Sequence, residues 1–284
     1  MRIAITGHQG QLGSALQAAL VQHGQGHALL GLDLPGHDIS DRPGIQQALC
    51  DFHPDIVLHT AAYTDVEGCA RDPDRALRIN ALGTQNVALA AQACDAVLLY
   101  ISTNEVFPGD RTVPYLEYDP PRPANPYGYS KWVGERYVEQ LGSRFYIVRI
   151  SWLFGGPRSF VTKMLALSEQ RPELTVVDDE FGTPTYAPDL AAAIVQLIET
   201  GQYGIYHLVN EGACSRYEFA REILCLAGKE GFPIRPIKLA EFQRNSTPPP
   251  HAVLRNLAAA AMGIRLRPWQ NALAEHLETG MRPG

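Results

Sequence analysis

Short apolar runs alternate with helix-length segments through the first half of the chain. The runs lie at residues 2–6, 28–33, 55–60, 96–102 and 145–150. Apolar runs with few polar alternate positions are typical of parallel strands that are covered on both faces of a sheet. The alternation therefore predicts an α/β fold with a doubly wound, Rossmann-like parallel sheet.

Helical patterns fill the connections between these runs. They cover residues 12–21, a helix entered at Ser40 or Asp41 with Pro43 in its first turn, an Ala-rich stretch at 73–93 and a segment near 127–141. Proline is tolerated in a first turn because that position has no hydrogen-bond partner for an N–H group. Each of the first four predicted strands is thus followed by a helix that can pack back on the sheet.

The pattern loosens after residue 150. Strands are predicted at 174–179 and 204–209, and helices near 189–198, 217–227 and 268–277, between loops rich in Pro and Gly. We therefore expect residues 1–150 to form a dinucleotide-binding domain. Residues 151–284 are expected to form mainly a smaller α/β substrate-binding region, with some elements that return to the first domain.

Composition narrows the classes of partner. The 284 residues are 45% hydrophobic and 19% charged, with a net charge of −6, so no broad basic face for nucleic acid is expected. No apolar run approaches the length of a membrane span, and the first residues lack a signal-peptide profile. The five cysteines show no metal-ligand spacing. The sequence predicts a cytoplasmic protein with reduced thiols, no metal site and no membrane or nucleic-acid partner.

Glycine spacing marks a candidate dinucleotide site. Gly7, Gly10 and Gly13 follow the first predicted strand and precede the first predicted helix. Positions without a Cβ let the backbone approach a pyrophosphate, whose charge a helix N-terminus favours. A plain tight turn is the alternative for a glycine triplet that stands alone, and the strand–turn–helix context favours the dinucleotide.

Acidic residues after the second strand bear on the choice of cofactor. Asp33 ends that strand, where a carboxylate can accept hydrogen bonds from the adenosine ribose and repel a 2′-phosphate. This favours NADH slightly over NADPH, with use of both still open. Asp38 and Ile39 either flank the adenine or simply form the loop into the second helix.

A Tyr and a Lys four residues apart are the candidate chemical groups. Tyr127 and Lys131 lie on one helix face, whereas Tyr129 points elsewhere. A nearby ammonium lowers the pKa of a phenol, and Lys131 is also placed to bind the nicotinamide ribose. Thr103, at the end of the fourth strand, can hydrogen-bond the substrate oxygen that exchanges a proton with the Tyr127 phenol. Asn104 and Glu105 follow directly, and Glu105 is either a second acid–base group or a loop carboxylate.

These motifs resemble those of the extended short-chain dehydrogenase/reductase superfamily. The glycine triplet, "HTAAYTDV" (59–66), "ISTNEVF" (101–107) and "NPYGYSKWVGE" (125–135) carry that resemblance. In the second half, "RISWLFG" (149–155), "DDEFGTPTYAPDLAAAI" (178–194), "GIYHLVNEGACSRYEFAREI" (204–223) and "PHAVLRN" (250–256) are similar to dTDP-4-dehydrorhamnose reductases. The resemblance covers nearly the whole chain.

The resemblance implies a role for each matching position. A dinucleotide would lie over Gly10, Gln11 and Leu12, and a second set of residues, Ala62, Tyr63 and Thr64, would line the cofactor cleft. Hydride would pass to C4 of a nucleotide-linked 4-keto-6-deoxy sugar, best matched by the conversion of dTDP-4-dehydrorhamnose to dTDP-rhamnose. Catalysis would fall to Tyr127 as proton donor, Lys131 and Thr103.

The same resemblance implies a substrate site at Thr103, Asn104, Glu105 and Trp152. Trp152 is otherwise a core or rim aromatic. Asn80, in the long third helix, is expected to be a structural hydrogen-bonding residue. The partner would be a small nucleotide sugar, with a homodimer possible.

One departure from the family pattern leaves alternatives open. Reductases of this kind carry Ser-Thr-Asp-Tyr after the fourth strand, and the related 4,6-dehydratases carry Thr-Asp-Glu, whereas this chain has Asn104 and Glu105. An amide cannot deliver a proton, which argues against a dehydratase or an epimerase that retains NAD. A non-catalytic dinucleotide-binding subunit, like the regulatory subunit of methionine adenosyltransferase, is the other alternative. A reductase is the leading hypothesis.

Overall fold

Parallel strands form the centre of the protein, whose computed structural model describes residues 1–24 and 26–280. The strands are, in chain order, β1 (Arg2–Thr6), β2 (Ala28–Leu32), β3 (Ile56–His59), β4 (Val97–Thr103), β5 (Phe145–Ile150), β6 (Leu153–Phe154), β7 (Leu174–Val177), β8 (Phe181–Gly182), β9 (Thr185–Tyr186), β10 (Gly204–His207), β11 (Cys214–Ser215) and β12 (Ile234–Ile237). Six of them pair in the order β10-β5-β4-β3-β1-β2, all parallel. The predicted doubly wound α/β class is confirmed.

Helices cover both faces of this sheet. They are α1 (Gln11–Gln22), α2 (Arg42–Phe52), α3 (Val66–Arg71), α4 (Pro73–Ala76), α5 (Gly83–Ala93), α6 (Pro126–Leu141), α7 (Phe160–Gln170), α8 (Ala187–Glu199), α9 (Arg216–Leu226), α10 (Ala258–Ala261) and α11 (Trp269–Gly280). Leu16 of α1 and Ile194 of α8 are buried in one core layer, and Ile45, Val87 and Val138 of α2, α5 and α6 in the other. Burial on both sides explains why the strands are apolar throughout.

The order of the sheet creates a crevice beside β1. The chain runs from β1 to its neighbour β2 on one side and then crosses to β3 on the other side. The loops at the carboxyl ends of β1 and β3 therefore diverge, and in open α/β sheets ligands bind at such a switch point. Gly7 follows β1 there, and Thr60 and Ala61 follow β3.

Elements from the second half return to the first. Strand β10 pairs with β5, with Tyr206 opposite Val148, and α8 packs against α1. A separate core around Phe154, Phe219 and Trp269 holds β6, β9, α9 and α11 together. Strand β10 thus belongs to the central sheet and α8 packs beside α1, and the division at residue 150 stays a prediction. Residues 281–284 of the predicted second region lie outside the described residues.

The predicted long helix at 73–93 is interrupted. Between α4 and α5 the segment Leu77–Leu82 is π-helical, with one extra residue in its turn. Asn80, within this segment, is 1% exposed. Helix α3 is not apparent from the sequence pattern. Its first turn is capped because the Asp65 carboxylate accepts a hydrogen bond from Gly68 N.

Among residues 1–24 and 26–280, no helix combines the length and the apolarity needed to cross a bilayer.

Candidate active site

The glycine loop joins β1 to α1 with almost no room for side chains. Gly7 has φ +71°, and a Cβ there would lie 2.8 Å from Ala61 Cα. A Cβ on Gly13 would lie 2.2 Å from Gly7 O and 2.6 Å from His8 Cα. Gly10 is the N-cap residue of α1 and its N–H donates to Gly7 O over 2.9 Å. The loop is therefore a tight turn with exposed backbone at the N-terminus of a twelve-residue helix.

The neighbouring predicted residues differ in what they expose. Leu12 is buried in the core, so only its backbone can face the loop. The Gln11 side chain extends toward Gly156, and its buried Nε2 has no hydrogen-bond partner among the described residues. His8 Nδ1 is likewise buried without such a partner. Unpaired buried polar atoms are costly, and ligand groups commonly satisfy them.

Asp33 lies against the glycine loop, as a ribose-binding carboxylate should. Its Oδ2 accepts a 2.9 Å hydrogen bond from Gln9 N, and its Oδ1 accepts one of 2.9 Å from Leu34 N. Asp38 is exposed and its Oδ1 accepts hydrogen bonds from Ser40. The side chain of Ile39 is buried in the core against Gly83, so it packs rather than lines an open surface. An adenine contact by Asp38 and Ile39 stays a prediction.

The loop after β3 is held by Asn80. Asn80 Oδ1 accepts a 2.7 Å hydrogen bond from Tyr63 N, and Asn80 Nδ2 donates to Tyr63 O over 3.0 Å. Ala62 and Tyr63 are half-buried, and Thr64 is exposed. The guanidinium of Arg75 lies 4.6 Å from the centre of the Tyr63 ring. This loop forms the other wall of the crevice. The Asn80 side chain holds it by hydrogen bonds to the Tyr63 backbone, which is the structural role expected from the sequence.

Helix α6 brings Tyr127 to the end of β4. The Thr103 hydroxyl lies close to the Tyr127 phenol, and a hydrogen bond between them would favour the phenolate. Burial nevertheless raises the pKa of Tyr127 above its usual value, and the Glu105 carboxylate raises it further. The structure thus shows the opposite of the lowered phenol pKa that the sequence predicts, because desolvation outweighs the hydrogen bond.

Lys131 lies one turn further along α6 and is 3% exposed. Its Nζ is 4.2 Å from the centre of the Tyr100 ring. Burial lowers the pKa of Lys131 to about 7, and the Glu135 carboxylate opposes that shift in part. The ammonium is therefore poised to exchange a proton near neutral pH.

Asn104 and Glu105 point to different partners. Asn104 is buried, and its Nδ2 donates to Ala252 O over 3.2 Å. Glu105 is partly buried, and its Oε2 accepts a 2.6 Å hydrogen bond from Asn125 Nδ2. Burial raises the pKa of Glu105 to about 7, against the opposing hydrogen bond from Asn125. Glu105 is thus an integrated part of the site and not a freely solvated loop residue.

Trp152 lies at the start of the smaller region in a strained conformation. Its φ is +42°, which is unusual for a residue with a Cβ and recurs at functional sites. The Arg216 guanidinium lies 3.6 Å from the centre of its ring, and a Cβ on Gly182 would lie 2.4 Å from the ring. Arg216 and Gly182 therefore pack against the ring, and contact with a sugar nucleotide stays a prediction.

A charged cluster near Glu105 is not apparent from the sequence. Glu180 pairs with Arg216 over 3.0 Å and with Arg244 over 3.6 Å. Arg244 also pairs with Glu67 of α3 over 3.0 Å. These residues come from four distant stretches of the chain, so no local sequence pattern could have predicted that they meet.

Asn125 could have been found from the sequence, because Asn followed by Pro is a recognisable start of a helix.

The residues present fit a nicotinamide dinucleotide. The glycine loop offers backbone to a pyrophosphate, Asp33 lies where a ribose hydroxyl would be bound, and Gln11 offers an unpaired amide. Thr103, Tyr127 and Lys131 lie at the same carboxyl edge of the sheet. The arrangement suits proton delivery to an oxygen beside a hydride donor.

Comparison with known proteins is consistent with this arrangement. A family model described as the RmlD substrate binding domain matches residues 1–281. The spore coat polysaccharide biosynthesis protein SpsK of Bacillus subtilis (strain 168) is 38% identical over 278 residues, which cover 98% of this chain and 97% of that protein. The dTDP-4-dehydrorhamnose reductase of Streptomyces griseus is 36% identical over 283 residues, covering 96% of this chain and 92% of that protein.

A solved structure extends the likeness to three dimensions. The dTDP-4-dehydrorhamnose reductase of Bacillus anthracis str. Ames, in complex with NADP, superposes with a TM-score of 0.94 at 38% identity. The match covers 98% of this chain and 99% of the other.

Proposed function

This chain belongs to the RmlD substrate binding domain family, and on that premise we propose that it reduces the C4 ketone of a nucleotide-linked 4-keto-6-deoxy sugar with NAD(P)H. The conversion of dTDP-4-dehydrorhamnose to dTDP-rhamnose fits best. Membership confirms the resemblance predicted from the sequence motifs and makes the protein an oxidoreductase. The observation that carries the proposal is that Tyr127 lies beside Thr103 at the end of β4, with Lys131 one turn further along the same helix. The glycine loop follows β1 at the same carboxyl edge of the sheet.

The side chains divide the work of a ketone reduction. The dinucleotide supplies the hydride when it is bound. The raised pKa of Tyr127 keeps the phenol protonated at neutral pH, so a proton is available for the developing alkoxide. Thr103 is placed to orient the carbonyl oxygen toward that proton. Lys131, with a pKa near 7, is placed to return a proton after turnover and to bind the nicotinamide ribose.

A direct assay tests the proposal. Purified protein incubated with dTDP-4-dehydrorhamnose and NADH or NADPH should oxidise the cofactor, and the absorbance of the reduced nicotinamide should fall. Tyr127→Phe should abolish turnover and leave cofactor affinity nearly unchanged. Tyr129→Phe is the matched control, since Tyr129 is exposed on the same helix. Unchanged absorbance with both cofactors and a panel of 4-keto sugar nucleotides would refute the reductase proposal.

The choice between NADH and NADPH is a second part of the proposal. We propose that both are accepted with a slight preference for NADH, because the Asp33 carboxylate would repel a 2′-phosphate. Asp33→Ser should raise kcat/KM for NADPH relative to that for NADH. An unchanged ratio would remove Asp33 from this role.

The position of Asn104 weighs against water loss. Its amide nitrogen donates a hydrogen bond to Ala252 O, and an amide has no acidic proton that could help to expel a hydroxyl group. Incubation with dTDP-glucose and no added reductant should therefore yield no dehydrated product by mass spectrometry. The non-catalytic subunit alternative predicts a stable complex with a larger enzyme and no reductase activity.

Three further expectations stay predictions. They are a cytoplasmic location, a homodimer, and a division of roles in which residues 1–150 bind the dinucleotide and residues 151–284 mainly bind the sugar nucleotide.

A further inference from the structure

Glu105 connects the end of β4 to the first turn of α6. Its backbone N–H donates to Thr103 Oγ1 over 3.2 Å, and its Oε2 accepts the 2.6 Å hydrogen bond from Asn125 Nδ2. Asn125 is the N-cap residue of α6, since its Oδ1 accepts a 2.8 Å hydrogen bond from Gly128 N. One residue therefore contacts both the strand end that carries Thr103 and the helix start that carries Tyr127.

Close backbone packing supports the same link. A Cβ on Gly128 would lie 2.0 Å from Glu105 O, so this glycine lets α6 lie directly against the Glu105 backbone. Asn125 Nδ2 also donates to Thr247 O over 3.1 Å, which ties the helix start to a loop of the smaller region. Asn125 Nδ2 thus has two acceptors, Thr247 O in the smaller region and the Glu105 carboxylate at the end of β4. The Glu105 side chain therefore helps to orient the Asn125 amide.

The charges around Glu105 come from several elements. Glu180, in the smaller region, disfavours the ionised form of Glu105, whereas Arg216 and Arg244 favour that form. Tyr127 of α6 faces Glu105 closely enough for the carboxylate to disfavour the phenolate. The carboxylate also acts on Cys69 of α3, where it raises the pKa of the thiol. Glu105 therefore changes charge within a cluster that includes the proton donor.

We propose that Glu105 is a positioning residue for proton transfer: its side chain holds the first turn of α6 through Asn125, and its negative charge restrains proton release by Tyr127. The inference rests on the proposed function and deepens it. It follows from the geometry that loss of the side chain displaces the donor, whereas loss of the charge alone leaves the donor in place and makes it a stronger acid.

Two substitutions separate position from charge. Glu105→Gln keeps an oxygen that can accept from Asn125, whereas Glu105→Ala removes it. Because the pKa of Glu105 is about 7, the wild-type rate of hydride transfer in single turnover should fall as pH rises through 7. Glu105→Gln should lose the part of this fall that Glu105 causes and keep the part that Lys131 causes, and it should exceed the wild type at pH 8.5 by about two- to fivefold. Glu105→Ala should be slower at every pH by about tenfold or more.

A measurement without substrate tests the charge coupling by itself. In protein labelled with ¹³C at the tyrosine Cζ, the Tyr127 resonance is assigned by its loss in Tyr127→Phe. That resonance should shift with a midpoint near pH 7 in the wild type, and the shift should be clearly smaller in Glu105→Gln, in which Lys131 still titrates near pH 7. Glu139→Gln is the matched control, because Glu139 lies on the same helix and pairs with Arg136 at the surface. It should keep the wild-type midpoint and rate profile.

The outcomes distinguish the two proposals. A shift of the Tyr127 resonance in a protein that reduces no 4-keto sugar would refute the reductase and keep the coupling. A reductase whose Tyr127 resonance and rate profile are the same in Glu105→Gln as in the wild type would overturn the inference. Wild-type turnover by Glu105→Ala would also overturn it.

Discussion

The side-chain amide of Asn80 pairs with both backbone polar groups of Tyr63, accepting from its N–H over 2.7 Å and donating to its carbonyl over 3.0 Å. The same Nδ2 donates to Ser130 Oγ over 3.0 Å, so Asn80 connects the crevice wall to the helix of Tyr127 and Lys131. The π-helical turn that holds Asn80 places one amide between these two elements.

Replacement of Asn80 should therefore affect stability and cofactor binding together. Asn80→Ala removes the partner of Tyr63 N and one of the partners of Tyr63 O and of Ser130 Oγ. A buried polar group left unsatisfied costs about 1–3 kcal/mol. We expect a free energy of unfolding lower by about 2 kcal/mol or more and weaker dinucleotide binding. Urea denaturation and fluorescence titration measure these effects. Gln85→Ala, half-exposed on α5, should change neither, and equal stability of the two variants would contradict the assigned role.

Stability should depend on pH through Lys131. Its pKa is about 7 in the folded protein and near the ordinary value of 10.5 when unfolded, so the unfolded chain binds more protons between pH 7 and 10.5. Stability from this group therefore rises with pH across that window and is lowest at pH 7 and below. Lys131→Met should have a higher urea midpoint than the wild type at pH 7, and the gap should shrink toward pH 9.5.

The exposed Lys163 supplies the control for that experiment. Lys163→Met should leave the difference from the wild type constant with pH. A lower midpoint for Lys131→Met at pH 7 would show that burial does not penalise the ammonium. Its reductase activity should be lost in either case.

The glycine loop predicts a loss of cofactor affinity on a minimal change. A methyl group at Gly13 would overlap Gly7 O, so Gly13→Ala must displace the loop from α1. The Kd for NADH and for NADPH should rise by about tenfold or more, measured by quenching of protein fluorescence. Gly36→Ala is the control, since its Cβ would come no closer than 3.8 Å to Asp33 O. Wild-type affinity in Gly13→Ala would contradict the proposed dinucleotide site.

The buried ion pair between Arg149 and Glu135 should be far more important for stability than a surface pair. Their side chains are each 2% exposed and 2.8 Å apart, and Ser102 Oγ also donates to Glu135. Arg149→Met leaves the Glu135 carboxylate buried without its cation, which should cost about 3–5 kcal/mol of unfolding free energy.

Two comparisons make this prediction specific. Arg136→Met breaks an exposed pair on the same helix and should cost less than about 1 kcal/mol. Arg149→Met combined with Glu135→Leu should recover much of the loss, because the Glu135 carboxylate is then no longer buried without Arg149. Equal losses for Arg149→Met and Arg136→Met in urea denaturation would show that the buried pair is replaceable.

The sequence by itself determined the sheet strands of the first half, the glycine turn and the approach of Tyr127 and Lys131 on one helix face. These features depend on local properties: runs of apolar residues, the absence of Cβ atoms and a four-residue spacing. They also carried the family resemblance, which the comparisons confirm.

Only the tertiary structure decided which distant residues meet and how their protons are held. It placed β10 in the central sheet, Arg216 over Trp152 and Asn125 against Glu105. It also reversed the expected shift in the Tyr127 pKa, because burial by remote segments outweighs the groups that stabilise the phenolate. Desolvation depends on everything that packs around a group, and no local pattern in the chain records it.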